Sequence, residues 1–135
     1  MKSDLKIVIT GASSGIGRAV ALKMAENNTF FLTSRREREL EEAAEEVRKL
    51  DGTAYIGVGD IRDPDQVKAL SEMAINRMGG VDVLVANAGV GYFGFLEDMT
   101  LEEYDSQFET NVRGVFLWIK NLLPHMKTQG HGQIV

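Results

Sequence analysis

The chain has 135 residues, 44% of them hydrophobic and 26% charged, a balance typical of one soluble globular domain with a substantial core. A net charge of −5 argues against a nucleic-acid partner, which would require a basic surface. The absence of cysteine excludes disulfides and thiolate chemistry, and without a leader-like or membrane-length apolar run we expect a cytoplasmic protein with no membrane contact.

A short strand, a glycine-rich turn and the start of a helix open the chain. The run Ile7-Val8-Ile9 is apolar throughout, as expected of a strand that is covered on both faces. Behind the turn, apolar residues recur at helical spacing: Ile16, Ala19, Val20 and Met24. A strand, a tight turn and a helix in this order are typical of a site that binds a dinucleotide.

Three glycines in the turn have separate physical roles in this interpretation. Gly11 would let the chain leave the strand sharply, Gly15 would remove a Cβ where the backbone approaches a pyrophosphate, and Gly17 would let the helix lie close on the sheet. The helix N-terminus would offer N–H groups to the phosphates, and Ser13 and Ser14 would add hydroxyl donors. Three isolated glycines are equally compatible with a strand-to-helix turn that binds no ligand.

Strands and helices alternate along the rest of the chain. Further strands are predicted at residues 29–33, 53–58 and 81–85, and from 133 to the last residue. Further helices are predicted at 37–51, at 64–78 after the N-cap Asp63, and from a capping box that begins at Thr100. Gly52 and the pair Gly79-Gly80 follow two of these helices as stop signals.

Two of the helices are predicted to be amphipathic. The apolar face of helix 37–51 comprises Leu40, Ala44, Val47 and Leu50. Its carboxylates form a solvated face rather than an acid–base pair: Glu41, Glu42, Glu45 and Glu46. The last helix carries a long apolar side: Tyr104, Phe108, Val112, Val115, Phe116, Ile119 and Leu123.

Near-continuous apolar strands that alternate with helices predict an α/β fold with a parallel sheet covered on both faces. Right-handed crossovers give a Rossmann-type, doubly wound sheet with strand order 3-2-1-4-5. Since the sequence ends at the start of strand five, strand four would lack a complete neighbour and the last helix would keep an uncovered apolar face. We therefore expect a single incomplete domain over residues 1–135, either truncated or covered by other chains on that side.

The residues after strand two bear on the choice of cofactor, because ligands of such folds bind beyond the carboxyl ends of the strands. An NAD site would place a carboxylate there for the ribose hydroxyl, whereas a 2′-phosphate requires cations. The chain has Ser34, Arg35 and Arg36, which favours NADP over NAD. The alternative, that these arginines only begin a charged helix, is weakened because the helix dipole disfavours cations at that end.

Two further strand ends complete the predicted site. Asp60 could accept a hydrogen bond from an adenine amino group, with Ile61 packed against the ring. The small residues Asn87, Ala88 and Gly89 would leave room for the second ribose and the nicotinamide. Each of these signals is weak alone, since an aspartate after a strand is more often a loop or capping residue.

Four motifs follow one another along the chain: Thr10-Gly11-Ala12-Ser13-Ser14-Gly15-Ile16-Gly17, Asp60-Ile61, Asn87-Ala88-Gly89 and Asn111-Val112-x-Gly114-x-Phe116. In order and spacing they resemble the short-chain dehydrogenase/reductase family over the whole chain. The resemblance implies that the first three motifs, which begin at Thr10 and end at Gly89, contact the cofactor. Ile16 is among these contact residues. One departure is Ala86, where many members have a second asparagine.

The resemblance also implies a role for Asn111, which matches an asparagine of the family's catalytic tetrad. That asparagine holds, through the main chain, a water that feeds the proton relay. The alternative is a mid-helix asparagine that only bends its helix. The family's serine and Tyr-x-x-x-Lys are absent from these 135 residues, because Tyr55, Tyr92 and Tyr104 have no lysine four positions on. We therefore expect no turnover from this chain alone.

By resemblance, the intact enzyme would be an NADP-dependent oxidoreductase that exchanges hydride with a small carbonyl or secondary alcohol. The 3-oxoacyl and sepiapterin reductases are similar at this level, and the family implies a homodimer or homotetramer. The alternatives are a non-catalytic NADP-binding sensor or partner-binding module, and a methyltransferase that uses S-adenosylmethionine, which Arg35 disfavours. His125 and His131 are too few for a metal cluster, so no metal site is predicted.

Overall fold

A computed structural model describes residues 4–135 as a layered α/β structure. The strands are β1 (Lys6–Thr10), β2 (Thr29–Ser34), β3 (Thr53–Val58), β4 (Val83–Val85) and β5 (Gln133–Ile134). The helices are α1 (Gly15–Lys23), α2 (Glu37–Lys49), α3 (Pro64–Met78), α4 (Leu101–Phe108) and α5 (Gly114–Gln129). A 3-10 turn spans Leu96–Asp98, and a π-helical turn (Glu109–Arg113) joins α4 to α5.

The strands form one parallel sheet in the order β3-β2-β1-β4-β5, which confirms the predicted topology. β1 lies in the middle, with Val8 paired to Phe31 of β2 on one side and to Leu84 of β4 on the other. β5 pairs with β4 through Val83 and Gln133. The carboxyl ends of β1 to β4 therefore meet along one edge of the sheet.

Two hydrophobic cores flank the sheet, as expected of strands that are covered on both faces. Ile7 and Ile9 pack with Phe30 in the core beneath α1 and α2. Val8 and Phe31 point to the other side, where they share a core with α3 and α5. Successive residues of β1 thus pack into the cores on opposite faces of the sheet. Ile7, Val8 and Ile9 are all completely buried.

The local signals at the helix ends act as predicted. The Asp63 carboxylate accepts from Asp65 N at 2.9 Å and from Gln66 N at 3.2 Å, and Pro64 follows it. Gly79 ends α3 with a φ of 70°, in the left-handed region that favours glycine. Thr100 and Glu103 form the reciprocal capping box that precedes α4. These short-range devices fix where the helices begin and end.

Three details of the predicted elements are wrong. Ile16 and Ala19 are exposed; Gly17 and Ala21 are the buried residues of α1, and Val20 and Met24 pack against the same core. Leu50 is exposed because α2 ends at Lys49. The β4 ladder begins at Val83 rather than at 81.

The apolar side of the last helix, which was expected to keep an uncovered face, is mostly its outer side, although Ile119 packs against the core. Tyr104, Phe108 and Phe116 are each about half exposed, at 49%, 52% and 58%. The face that packs on the sheet is a different one, comprising Gly114, Leu117, Trp118, Leu122 and Met126. Both faces are apolar, so periodicity alone could not tell which is inside. Neither α5 nor another helix within residues 4–135 has the length and apolarity that crossing a membrane needs.

Candidate functional site

A cleft of about 330 Å³ opens at the carboxyl ends of β1 to β4. It is lined by all four predicted groups of strand-end residues and by several residues that were not predicted. The lining comprises Thr10, Gly11, Ser13, Ser14, Thr33, Ser34, Arg35, Arg36, Gly59, Asp60, Ile61, Leu70, Asn87, Ala88, Gly89, Val90, Thr110 and Trp118. The predicted residues Gly15, Ile16, Gly17 and Asn111 do not line this cavity directly.

The turn between β1 and α1 has the shape that a phosphate cradle needs. Gly15 has a φ of 57°, and a Cβ built on it meets no atom within 4 Å, so its backbone faces open space. Gly17 is tightly enclosed, because a Cβ there would lie 2.5 Å from Asn87 Nδ2 and 2.7 Å from Gly11 O. Gly17 therefore permits close approach to the turn and to the loop after β4, rather than to the sheet as predicted.

The N-terminus of α1 has backbone donors without an internal side-chain cap. Ser14 is the N-cap residue, yet its side chain makes no capping hydrogen bond, and the first turn contains no acidic residue. Uncapped N–H groups and the positive end of the helix dipole together favour an anion at this position. The site thus matches a phosphate in both charge and hydrogen-bonding capacity.

The two arginines after β2 differ in their surroundings. Arg36 is fixed across the turn, because its Nη2 donates to Ser13 Oγ at 3.1 Å and to Ser14 Oγ at 2.6 Å. Its backbone N–H donates to Ser34 Oγ at 3.2 Å. Arg35 also lines the cleft, but its side chain makes no hydrogen bond within residues 4–135. One guanidinium is thus held in place, and the other is available to an anion.

Thr10 and Asn87 connect the ends of β1 and β4. Thr10 Oγ1 accepts from Asn87 N at 3.1 Å and from Ala88 N at 3.0 Å. In return, Asn87 Nδ2 donates to Thr10 O at 3.1 Å and to Gly11 O at 3.2 Å. Their polar side chains, both predicted to contact a cofactor, are therefore engaged in holding the floor of the cleft together.

Asp60, at the end of β3, is paired with an arginine that the sequence analysis missed. Arg62 Nη2 donates to Asp60 Oδ2 at 2.7 Å, and Arg62 Nε donates to Asp60 Oδ1 at 3.0 Å. The Arg62 hydrogen bond is the main cause of a pKa of Asp60 below its ordinary value, and the charge of Arg35 adds to the effect. A basic residue two positions after the aspartate was the available signal.

Asn111 lies in the π-helical turn, behind the loop that follows β4. Its Oδ1 accepts from Val90 N at 2.8 Å, and its Nδ2 donates to Val90 O at 2.7 Å. A Cβ on Gly89 would lie 3.2 Å from Asn111 Oδ1, so the contact is close. Asn111 therefore fixes the loop that bounds the cleft, and the π turn sets the register of the helix there.

The inner wall of the cleft combines Ile61, from the Asp60-Ile61 motif, with two residues that have no motif of their own. Ile61 lines the cleft and also packs on α5, where a Cβ on Gly114 would lie 2.7 Å from Ile61 Cγ1. Thr110 and Trp118 add a buried hydroxyl and a large aromatic wall. They come to the cleft through the packing of α5 on the sheet, so no local sequence signal could identify them. Residues 4–135 hold no cluster of metal-ligating side chains.

The sequence matches a known family over almost its full length. Residues 5–135 match the family described as short chain dehydrogenase. The chain is 34% identical over 137 residues to the 3-oxoacyl-(acyl-carrier-protein) reductase FabG of Staphylococcus aureus, covering 100% of this chain and 56% of the relative. It is 37% identical over 136 residues to the sepiapterin reductase of Chlorobaculum tepidum, covering 95% of this chain and 56% of the relative.

Solved structures also superpose closely on this chain. A metagenomic short-chain oxidoreductase in complex with NADP superposes with a TM-score of 0.91 at 32% identity, over 98% of this chain and 60% of that one. An NAD+-bound xylitol dehydrogenase gives 0.94 at 30% identity, over 99% of this chain and 53% of that one. The chain thus spans little more than half the length of these relatives. The match from residue 5 to residue 135 establishes that the chain belongs to the short-chain dehydrogenase/reductase family.

Proposed function

We propose that this chain is the NADP-binding part of an oxidoreductase that transfers hydride between nicotinamide and a small carbonyl compound or secondary alcohol. The observation that carries the proposal is the cleft at the strand ends, with an open glycine turn and two arginines on its rim. Family membership supports the reaction class, and the named relatives include two reductases. We further propose that residues 1–135 form one incomplete dinucleotide-binding domain.

The pyrophosphate would be held by the turn before α1. Gly15 leaves space for it, and the N–H groups of the first helical turn, which no side chain caps, would donate to its oxygens. Ser13 and Ser14 accept from Arg36, so each hydroxyl retains its own proton to donate to a phosphate oxygen. Ile16, exposed beside them, would contribute an apolar contact at the rim.

The ribose phosphate of NADP would lie at the end of β2. Ser34, Arg35 and Arg36 supply a hydroxyl and two guanidinium groups, and none of the three is the acid that an NAD ribose requires. Guanidinium groups bind phosphate through paired, charge-assisted hydrogen bonds. Solved relatives hold NADP in one case and NAD in another, so the choice of NADP depends on these residues of this chain.

The remaining strand ends would hold the two rings. Asp60 and Ile61 line the cleft where adenine would lie, with a carboxylate for its amino group and an apolar side chain for its face. Ala88 and Gly89 occupy the other end, where their small size leaves room for the nicotinamide and its ribose.

When bound, the dinucleotide supplies or accepts the hydride. Asn111 fixes Val90 and thereby the loop beside the reacting end. By the family pattern, its main chain would hold a water for the proton relay. The Tyr-x-x-x-Lys pair that completes this relay is not among these residues, so we propose cofactor binding without turnover from this chain alone.

Calorimetric titration of the chain with NADP, NAD and S-adenosylmethionine tests the proposal. We expect NADP to bind most tightly, NAD more weakly, and S-adenosylmethionine not at all. Arg35→Ala should weaken NADP binding, whereas Arg38→Ala should not, because Arg38 pairs with Glu42 on the exposed side of α2. If NADP does not bind, or if S-adenosylmethionine is preferred, the proposed function is wrong.

A further inference from the structure

Asp60 and Arg62 form an ion pair that is supported by several hydrogen bonds. Arg62 N donates to Asp60 Oδ1 at 2.9 Å, in addition to the two contacts of Nε and the 2.7 Å contact of Nη2. One arginine thus engages both carboxylate oxygens with its backbone and its side chain. The pair is only partly exposed, with 36% of the Arg62 side chain and 25% of the Asp60 side chain accessible.

The position of this pair matters because of a second arginine nearby. Asp60 and Arg35 line the same cleft, and the charge of Arg35 contributes to the lowered pKa of Asp60. Arg62 and Arg35 also border a neighbouring polar cavity. Asp60 therefore has two arginines within electrostatic reach, and hydrogen bonds join it to Arg62.

We infer that Arg62 is a specificity-determining residue for the phosphorylated ribose, because it neutralises Asp60 and leaves Arg35 available to the 2′-phosphate. This inference rests on the proposed function. Without Arg62, the carboxylate of Asp60 would repel the phosphate and attract the Arg35 side chain. The four contacts come from only three N–H groups of Arg62, because the Nε–H is shared between the two oxygens, so a carboxylate with about four acceptor positions keeps one for an adenine amino group.

The test compares two ligand pairs that differ only in the 2′-phosphate: NADP with NAD, and adenosine 2′,5′-bisphosphate with AMP. For each protein the ratio of the two Kd values is measured by calorimetry. Arg62→Gln is expected to lower the preference for the phosphorylated ligand about three- to tenfold, as for a charge removed at the edge of a solvated site. Arg62→Lys should retain most of the preference, and Arg38→Gln should retain all of it.

A double variant separates electrostatics from a general disturbance of the site. In Asp60→Asn/Arg62→Gln the uncompensated carboxylate is gone, so the preference should return towards the wild-type ratio even if adenine binds more weakly. Asp60→Asn alone should keep or raise the preference, and this variant provides the test if Arg62→Gln does not fold.

Failure of the proposed function and failure of the role of Arg62 give different results. If the wild-type chain binds neither phosphorylated ligand, the proposed function is overturned, and the inference with it. If it binds both and Arg62→Gln leaves both ratios unchanged, the proposed function stands and the role of Arg62 is wrong. A fall in preference with Asp60→Asn alone would likewise overturn the inference.

Discussion

Asn111 holds both backbone groups of Val90, accepting from its N–H at 2.8 Å and donating to its carbonyl at 2.7 Å. The two residues are 21 positions apart, so this pair fixes the loop after β4 to the helical turn between α4 and α5. A single side chain thereby determines where one wall of the cleft lies.

Replacing Asn111 by Leu should release that wall. The loss of two exposed hydrogen bonds is expected to lower the free energy of unfolding by about 1 kcal/mol and to weaken NADP binding. Asn121→Leu is the matched control, because Asn121 donates only to Leu117 O within its own helix. Urea unfolding and calorimetric titration measure the two effects. Equal affinities for NADP in both variants would contradict the role assigned to Asn111.

Arg35→Asp should reverse the preference between the two cofactors. A carboxylate at the end of β2 repels a 2′-phosphate and can accept from a ribose hydroxyl. We expect NADP affinity to fall about ten- to a hundredfold, the equivalent of one or two charge-assisted hydrogen bonds, while NAD affinity is kept or rises. Arg38→Asp is the control on the exposed side of α2. An unchanged ratio of the two dissociation constants would show that Arg35 does not select the phosphate.

Gly15 and Gly130 provide a matched pair for testing the phosphate turn. Both have positive φ, 57° and 82°, and an added Cβ meets no atom within 4 Å at either position. Each Gly→Ala change should therefore cost about 1 kcal/mol of stability through backbone strain alone. Only Gly15→Ala should also weaken NADP binding, since Gly130 lies beyond α5 and away from the cleft. Equal loss of affinity in both variants would refute the placement of the phosphate.

The Asp63 cap should make α3 sensitive to acid. The pKa of Asp63 lies below its ordinary value. The largest cause is the hydrogen bond from the Gln66 backbone N–H, and the second is the hydrogen bond from the Gln66 side chain. A lowered folded-state pKa means that the stabilisation is present above the unfolded value, about 3.9, and is lost as the pH falls through the folded value. Asp63→Asn retains a capping oxygen but does not titrate. Thermal melts should show the two proteins converging as the pH is lowered, and a constant difference in Tm would contradict this.

We propose that the exposed aromatic face of α4 and α5 mediates self-association, as in the homodimer or homotetramer that the family resemblance implies. Phe116 of α5 is 58% exposed, and Tyr104 and Phe108 of α4, whose ring centroids lie 4.7 Å apart, are also about half exposed. Phe116→Glu should shift the chain to monomer in sedimentation experiments, because burying a carboxylate in an apolar contact is costly. Phe93→Glu, at a fully exposed loop position, should have no such effect. A monomeric wild-type chain would rule the proposal out.

The sequence best predicts the features that depend on interactions between residues close together in the chain. Asp63-Pro64 and the Thr100 capping box mark helix starts because the groups that satisfy each other are three residues apart or fewer. The strand order follows from the alternation of elements and from the handedness of crossovers. What it could not predict depends on packing between distant segments. The outer and inner faces of α5 are both apolar, so only the assembled sheet determines that Trp118 lies inside and Phe116 outside.

The same limit applies to the site. Glycine spacing and the residues after each strand identify the lining of the cleft, because topology brings all strand ends to one edge. Which of those residues hold the cleft together depends on hydrogen bonds that form only in the folded structure. The Thr10 hydroxyl accepts from the backbone of the loop after β4, and the guanidinium of Arg36 is held by Ser13 and Ser14. Thr110 lies in the π turn between α4 and α5 and lines the cleft without belonging to any of the predicted motifs.

The hydroxyl of Thr10 accepts from two successive backbone amides of the loop after β4. The ends of β1 and β4 are therefore joined by hydrogen bonds of the chain itself, and the cost of ordering this part of the cleft floor is met during folding rather than when a ligand binds.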